Sequence, residues 1–155
     1  MAILSTYSGR NVFGALSNLA LNINIPIAGI AAQGIAQITV RMTVTQSVLQ
    51  VGMDGAVIPS VVPGDQGEIE IQVWQTSTIH QSFLAWYNAL KAARDAGNVQ
   101  PWYSSALVLQ GLPPDTWTHY CTGVAPAKIP DKSYAEQAGR VSWVLVAANI
   151  TSEPI

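Results

Sequence analysis

The sequence predicts a mostly-β protein, an antiparallel β-sandwich or barrel that carries one α-helix at about residues 79–96. Three observations predict it. Two segments alternate polar and apolar residues with a period of two, one segment alone has helical periodicity with caps, and the intervening turns are of hairpin length. Strands come first, then the helix, then more strands, unlike the regular alternation of an α/β fold. At 155 residues the chain is expected to form a single domain, 1–155, large enough for a core without disulfides or metals.

Two short strands open the chain, at residues 7–16 and 19–25, and the Ala- and Gly-rich segment 27–35 is left open between strand and loop. From 37 to 45, Ile38, Val40, Met42 and Val44 point one way, and Gln37, Thr39, Arg41, Thr43 and Thr45 the other. That is a strand with one apolar and one wetted face. Residues 47–51 continue it or pair with it. Met53-Asp54-Gly55 reads as a turn before a strand at 57–62, and 63–67 as a second turn. Residues 68–75 alternate again, with Ile69, Ile71 and Val73 on one face and Glu68, Glu70 and Gln72 on the other. These strands are expected to form a meander.

Thr78 is the expected N-cap of the helix, with Gln81 completing a capping box. Phe83, Trp86, Tyr87 and Leu90 make its apolar stripe, and Lys91 and Arg94 lie near the end where the helix dipole favours cations. Gly97 is expected just past the last turn. Strands follow at 102–110 and 117–124, separated by a turn at Gly111-Leu112-Pro113-Pro114-Asp115. A loop at 125–139 carries Lys128, Asp131, Lys132 and Glu136, one long strand closes the chain at 140–150, and Pro154 marks a loose end.

Charge is scarce. Only 10% of residues are charged, against about 25% in ordinary soluble domains, while 49% are hydrophobic and the mean hydropathy is +0.26. Residues 11–40, 42–53 and 96–114 contain no charge at all. A free monomer keeps its apolar patches small with Lys, Glu, Arg and Asp. This chain uses Thr, Ser, Gln and Asn instead, which suits surfaces that are covered by neighbours.

Several function classes are disfavoured. A net charge of −2 gives no basic footprint for gripping nucleic acid. Met1-Ala2-Ile3-Leu4-Ser5-Thr6-Tyr7 has no basic region followed by a long apolar one, so no signal peptide is expected. Asn18, Asn22, Asn24, Pro26, Gln33 and Gln37 interrupt the uncharged run 11–40, so no membrane insertion is expected. A lone Cys121 excludes an internal disulfide framework and fits a reducing compartment.

His80 and His119 have no companions at metal-ligand spacing, and the Cys121–His119 pair lacks a third, orienting group. Glu68 and Glu70 share one strand face as a glycosidase pair might, yet such a pair also serves as a simple solvated face. Trp74, Trp86, Trp102, Trp117 and Trp143 are spread over many elements, as core and interface anchors are. No catalytic residue, cofactor or metal is expected. Two rivals stand beside a self-assembling protein: a carbohydrate-binding β-sandwich using exposed Trp side chains, and an enzyme with a deep pocket.

A pattern spread over most of the chain resembles the small tail tube proteins of contractile-tailed bacteriophages. It runs from Thr6-Tyr7-Ser8 and the apolar strand Asn11 to Leu16, through Gly52-Met53-Asp54-Gly55 and Gly67-Glu68-Ile69-Glu70-Ile71-Gln72-Val73. It continues with Thr76-Ser77, a helix containing Tyr87-Asn88-Ala89, a Pro-containing loop at 125–130 and a closing strand at 141–148. The Pro113-Pro114-Asp115 turn and the Trp-rich second half depart from that pattern.

The resemblance implies a structural virion protein whose hexameric rings stack into a tube within a contractile sheath, above a baseplate. Its strands would join one ring-wide barrel, and DNA would pass through without specific binding. It also implies residence in the virion tail after assembly in the host cytoplasm; type VI secretion and pyocin tube subunits share the architecture. On that basis Thr39, Arg41, Thr43, Thr45, Glu68, Glu70 and Gln72 are the candidate lumen-facing residues. Asp54, Gly55, Lys128, Asp131, Lys132 and Glu136 are the candidate ring-to-ring contacts, together with the N-terminal segment. Arg41 is the odd cation of the wall, and a carboxylate partner, Glu68 or Glu70, is expected for it.

Overall fold

The computed structural model describes residues 12–29, 34–111 and 117–154. Among these, the strands are β1 (Val12–Asn18), β2 (Ile23–Ile27), β3 (Ile35–Met42), β4 (Ser47–Val51), β5 (Val57–Val61) and β6 (Gly67–Trp74). Helix α1 (Thr78–Asp95) follows, then a 3-10 turn (Gln100–Tyr103), β7 (Ser105–Gly111), β8 (Trp117–Pro126), β9 (Arg140–Ala147) and β10 (Asn149–Pro154). The expected strand at 7–16 lies outside the described residues up to Asn11, as do 30–33 and the turn beyond Gly111.

All strand pairs are antiparallel. Eight strands make one sheet in the order β2-β1-β7-β8-β9-β6-β3, with β10 also on β8. Among the described residues the sheet does not close on itself; β2 and β3 end its main path, and β10 branches from β8. Its inner face is apolar because the alternation of each strand is kept in register. Ile69, Ile71 and Val73 of β6 lie opposite Leu145, Trp143 and Val141 of β9, and all six are buried. Leu107 and Leu109 of β7 continue the core. Onto this face α1 lays Phe83, Trp86 and Leu90, with Phe83 and Tyr87 against the Trp143 ring. Each large side chain so buried contributes about 1.5–3 kcal/mol.

Ser77, one residue before the expected Thr78, caps the helix: its Oγ accepts from the His80 N–H at 3.3 Å. Thr78 is already in the first turn. At the other end Gly97 takes φ +90°, its N–H donates to Arg94 O, and the Asn98 N–H donates to Ala93 O. That is the expected glycine-dependent termination.

Four further expectations are corrected. Residues 19–22 turn instead of extending: Asn18 Oδ1 accepts from the Leu21 N–H, and Asn22 adopts φ 53°, which Asn tolerates. Trp102 and Tyr103 belong to the 3-10 turn, where Pro101 sits in the first turn and Trp102 packs edge-on against Tyr87. The meander gives way to a direct β3–β6 pair, with β4 and β5 folded on each other as a separate two-stranded arm. The closing strand is two strands. Gly123, at φ +64°, bulges out of β8, and the Ala148 N–H donates to the carbonyls of Thr122 and Gly123. The bulge divides β8, so that its first part pairs with β10 and its last two residues, Ala125 and Pro126, pair with β9. Pro154 therefore lies in β10 opposite Trp117, not in a loose end.

Candidate functional site

The outer face of β3 and β6 collects most of the predicted polar residues. Antiparallel register sets Arg41 opposite Glu68, Thr39 opposite Glu70 and Gln37 opposite Gln72. Residues directly opposite share a face, so five of the seven candidates, Thr39, Arg41, Glu68, Glu70 and Gln72, form one surface. Thr43 and Thr45 lie beyond the end of β3; Thr43 bonds the Gln66 carbonyl through both its N–H and its hydroxyl.

Arg41 has the carboxylate partners expected for it. Its Nε donates to Glu68 Oε2 at 3.3 Å and its Nη2 to Glu70 Oε2 at 3.0 Å. The Arg41 guanidinium holds the Glu70 carboxyl below its ordinary value against the opposing effect of desolvation, with Gln72 and Ser142 adding hydrogen bonds. In return Glu70 first, and Glu68 second, raise the Arg41 guanidinium above its usual value.

The structure adds a third strand to this surface. Val146, Val144 and Ser142 of β9 lie opposite Glu68, Glu70 and Gln72, and Arg140 lies opposite Trp74. The alternation of residues 140–147 carried this information, but only pairing shows which strand lies beside β6. Between β9 and the loop that precedes it is a cleft of about 310 Å³ lined by Lys128, Pro130, Asp131, Arg140, Ser142 and Val144.

The candidate contact residues fall in two exposed places. Asp54 and Gly55 form the tip of the β4–β5 arm, where Asp54 Oδ1 accepts from the Ala56 N–H and Gly55 takes φ +83°. Lys128, Asp131, Lys132 and Glu136 lie in the loop before β9, with a Lys128–Asp131 contact at 4.0 Å and Lys132 over the Tyr134 ring. Sequence reasoning missed the sides of the arm. Leu49, Val51 and Val61 are 70%, 72% and 86% exposed, and with Val57 and Pro59 they share one face. Alternation alone gives no hint that an apolar face is left uncovered.

Catalytic features are weak. Burial pushes the Cys121 thiol up to about 11, so it stays protonated. Among the described residues no three His, Cys, Asp or Glu side chains converge to hold a metal, and no helix is long and apolar enough to cross a membrane.

Three solved structures with this fold bound the comparison. One is titled an anti-feeding prophage baseplate, 6-fold symmetrised, at TM-score 0.61 and 9% identity, covering 98% of each chain. Another, from the sheath/tube terminator of the extracellular contractile injection system PVC in its extended state, gives 0.58 and 9%, over 98% of this chain and 99% of the other. The third, the tube-terminating cap of the anti-feeding prophage, gives 0.56 and 7%, over 100% and 95%. No curated protein sequence matches the chain. The model of the family described as bacteriophage PhiTE tail tube protein matches residues 4–153. Nearly the whole chain is matched, and it belongs to this phage tail tube family, a structural family and not an enzymatic one.

Proposed function

We propose that this chain is the subunit of a hexameric ring, that the rings stack into a hollow tube inside a contractile sheath, and that DNA passes through it without specific binding. The observation that carries the reading is the open eight-stranded sheet, whose ends at β2 and β3 have no further strand partner among the described residues. Exposed strand ends need partners or protective charges, and this chain has few charges. Strands from neighbouring copies would complete the sheet into a ring-wide barrel, which removes the ends. A head-to-tail contact that closes makes a ring, and repeated stacking makes a tube.

In this reading the polar face of β3, β6 and β9 lines the lumen, with Thr39, Arg41, Glu68, Glu70 and Gln72 on the wall and Thr43 and Thr45 at its rim. Asp54 and Gly55 on the arm, and Lys128, Asp131, Lys132 and Glu136 in the loop, make the ring-to-ring contacts. Sheath and baseplate proteins are the other partners, and the tail is assembled in the host cytoplasm. A second reading, a tube subunit of an injection system instead of a virion, is favoured by the origin of the structural neighbours.

Negative-stain microscopy of the concentrated protein tests the proposal. Rings or tubes are expected, whereas featureless monomers at high concentration would return the chain to the class of ligand-binding β-sandwiches.

A further inference from the structure

We infer that Asp54-Gly55, at the tip of the β4–β5 arm, is a site of spontaneous modification in the unassembled subunit, where Asp54 converts to isoaspartate. The chemistry stands on the turn itself, whereas its effect on assembly rests on the reading of the tip as a ring-to-ring contact.

The sequence isolates the site. Among the aspartates only Asp54 precedes glycine; Asp65, Asp95, Asp115 and Asp131 precede Gln66, Ala96, Thr116 and Lys132, and no asparagine precedes glycine either. The reaction needs the backbone nitrogen of the next residue to reach the side-chain carboxyl carbon, and a Cβ on that residue obstructs the approach. The turn brings the two groups together. The Gly55 N–H donates to Gly52 O at 3.0 Å and the Gly52 N–H to Ala56 O at 2.8 Å. Asp54 Oδ1 accepts from the Ala56 N–H at 3.1 Å, which curls the side chain forward over its own peptide and leaves the carboxyl carbon on the side of the Gly55 nitrogen. Asp54 and Gly55 are exposed, and a Cβ built on Gly55 would meet nothing within 4 Å, so water reaches the tip. The Gly55–Gly52 hydrogen bond opposes the attack, but it closes the end of a lone two-stranded arm, where local opening is frequent.

In the step, the Gly55 nitrogen attacks Cγ of the protonated Asp54 carboxyl. The N–Cγ bond forms, the nitrogen gives up its proton, and the carboxyl hydroxyl leaves with a proton as water, closing a succinimide. Water then opens the ring. Addition at Cγ restores aspartate; addition at the main-chain carbonyl carbon leaves the backbone running through the side-chain carboxyl, as isoaspartate. Water is the only co-reactant, and the mass is unchanged overall. The product adds a methylene to the backbone between Gly52 and Ala56, so the hydrogen bonds that span residues 53–55 lose their register. A ring contact made by Asp54 and Gly55 would exclude such aged subunits, and stacking, by covering the tip and holding the turn shut, would protect those already in a tube.

The test incubates the purified, unassembled subunit at neutral pH and physiological temperature for several weeks. Isoaspartate is then measured by isoaspartyl methyltransferase labelling and by fragmentation of the digested peptides. A several-fold excess at Asp54 over Asp65, Asp95 and Asp131 is expected. D54E, whose longer side chain closes a six-membered ring far more slowly, should lose the signal at that position. Isoaspartate at Asp54 no greater than at the other aspartates overturns the inference, with or without a folded D54E. The aged wild-type mixture is next set to polymerise and separated by sedimentation. Depletion of isoaspartate from the pelleted tubes supports its effect on assembly, and equal content in pellet and supernatant refutes that effect while the site stands. The first measurement needs no assembly, so the absence of any pellet sinks the tube reading separately.

Discussion

Trp143 carries an indole N–H that only donates, and in the core it donates to Nδ1 of His80 at 3.1 Å. His80 must therefore be neutral with its proton on Nε2. Burial lowers its pKa below the ordinary 6.5, and nearby Lys132 lowers it further. The unfolded chain binds this proton at higher pH than the folded one, so stability is complete above pH 6.5 and falls as the pH drops below it toward the folded value. Urea midpoints should decline between pH 7.5 and pH 5, and H80Q, whose amide oxygen can accept from Trp143, should flatten that decline. An unchanged slope in H80Q would place the acid sensitivity elsewhere. Arg41 was legible at this scale as an odd cation on a polar strand face that called for a carboxylate partner, while the β3–β6 pairing decided that Glu68 and Glu70 supply it. The N-cap was not, because Ser77 and Thr78 offer the same hydroxyl chemistry and only backbone geometry chooses between them.

At the scale of elements, the β4–β5 arm is the feature with the least internal support. A two-stranded hairpin alone is marginal in water, and here one face exposes Leu49, Val51 and Val61. It is joined to the body where Gln46 Nε2 donates to Gly64 O and Asp65 Oδ1, and where the Val62 N–H donates to Gln46 O. Replacing Val51 and Val61 by Lys touches no buried group, so each should change subunit stability by only about 0.5 kcal/mol. The same V51K/V61K variant should lose rings or tubes in the microscope if the arm makes the stacking contact. Full assembly by this variant would remove the arm from the interface. Strand existence was readable from period two, but the ends of β9 and β10 were not. That break depends on Gly123, where an added Cβ would meet Ala148 Cβ at 2.6 Å, a crowding that appears only once β8 and β10 are paired.

For the whole molecule the balance lies with apolar surface and backbone pairing. The described ion pairs are few and exposed, and they lie within one chain. Assembly through strand ends and an apolar arm should therefore resist salt. Raising ionic strength shortens the screening length from about 10 Å at 0.1 M to about 3 Å at 1 M, which weakens exposed charge pairs but not buried apolar contacts. Tubes followed by light scattering should persist across that range. Dissolution at 1 M would mean that Lys128, Asp131, Lys132 and Glu136 supply the contact energy instead.

What the sequence by itself determined is local: which residues alternate, where the helix runs, which faces are apolar, and how little charge is available to protect a lone subunit. These follow from side-chain chemistry and periods of a few residues, so a short window contains them. Only the tertiary structure decided that β3 pairs with β6 across an inserted arm, that β9 lies beside β6 on the same outer face, and that among the described residues the main path of the sheet ends at β2 and β3. Strand partners are chosen by long-range packing, in which many strands of similar pattern compete for the same neighbours, and no window along the chain records which of them wins.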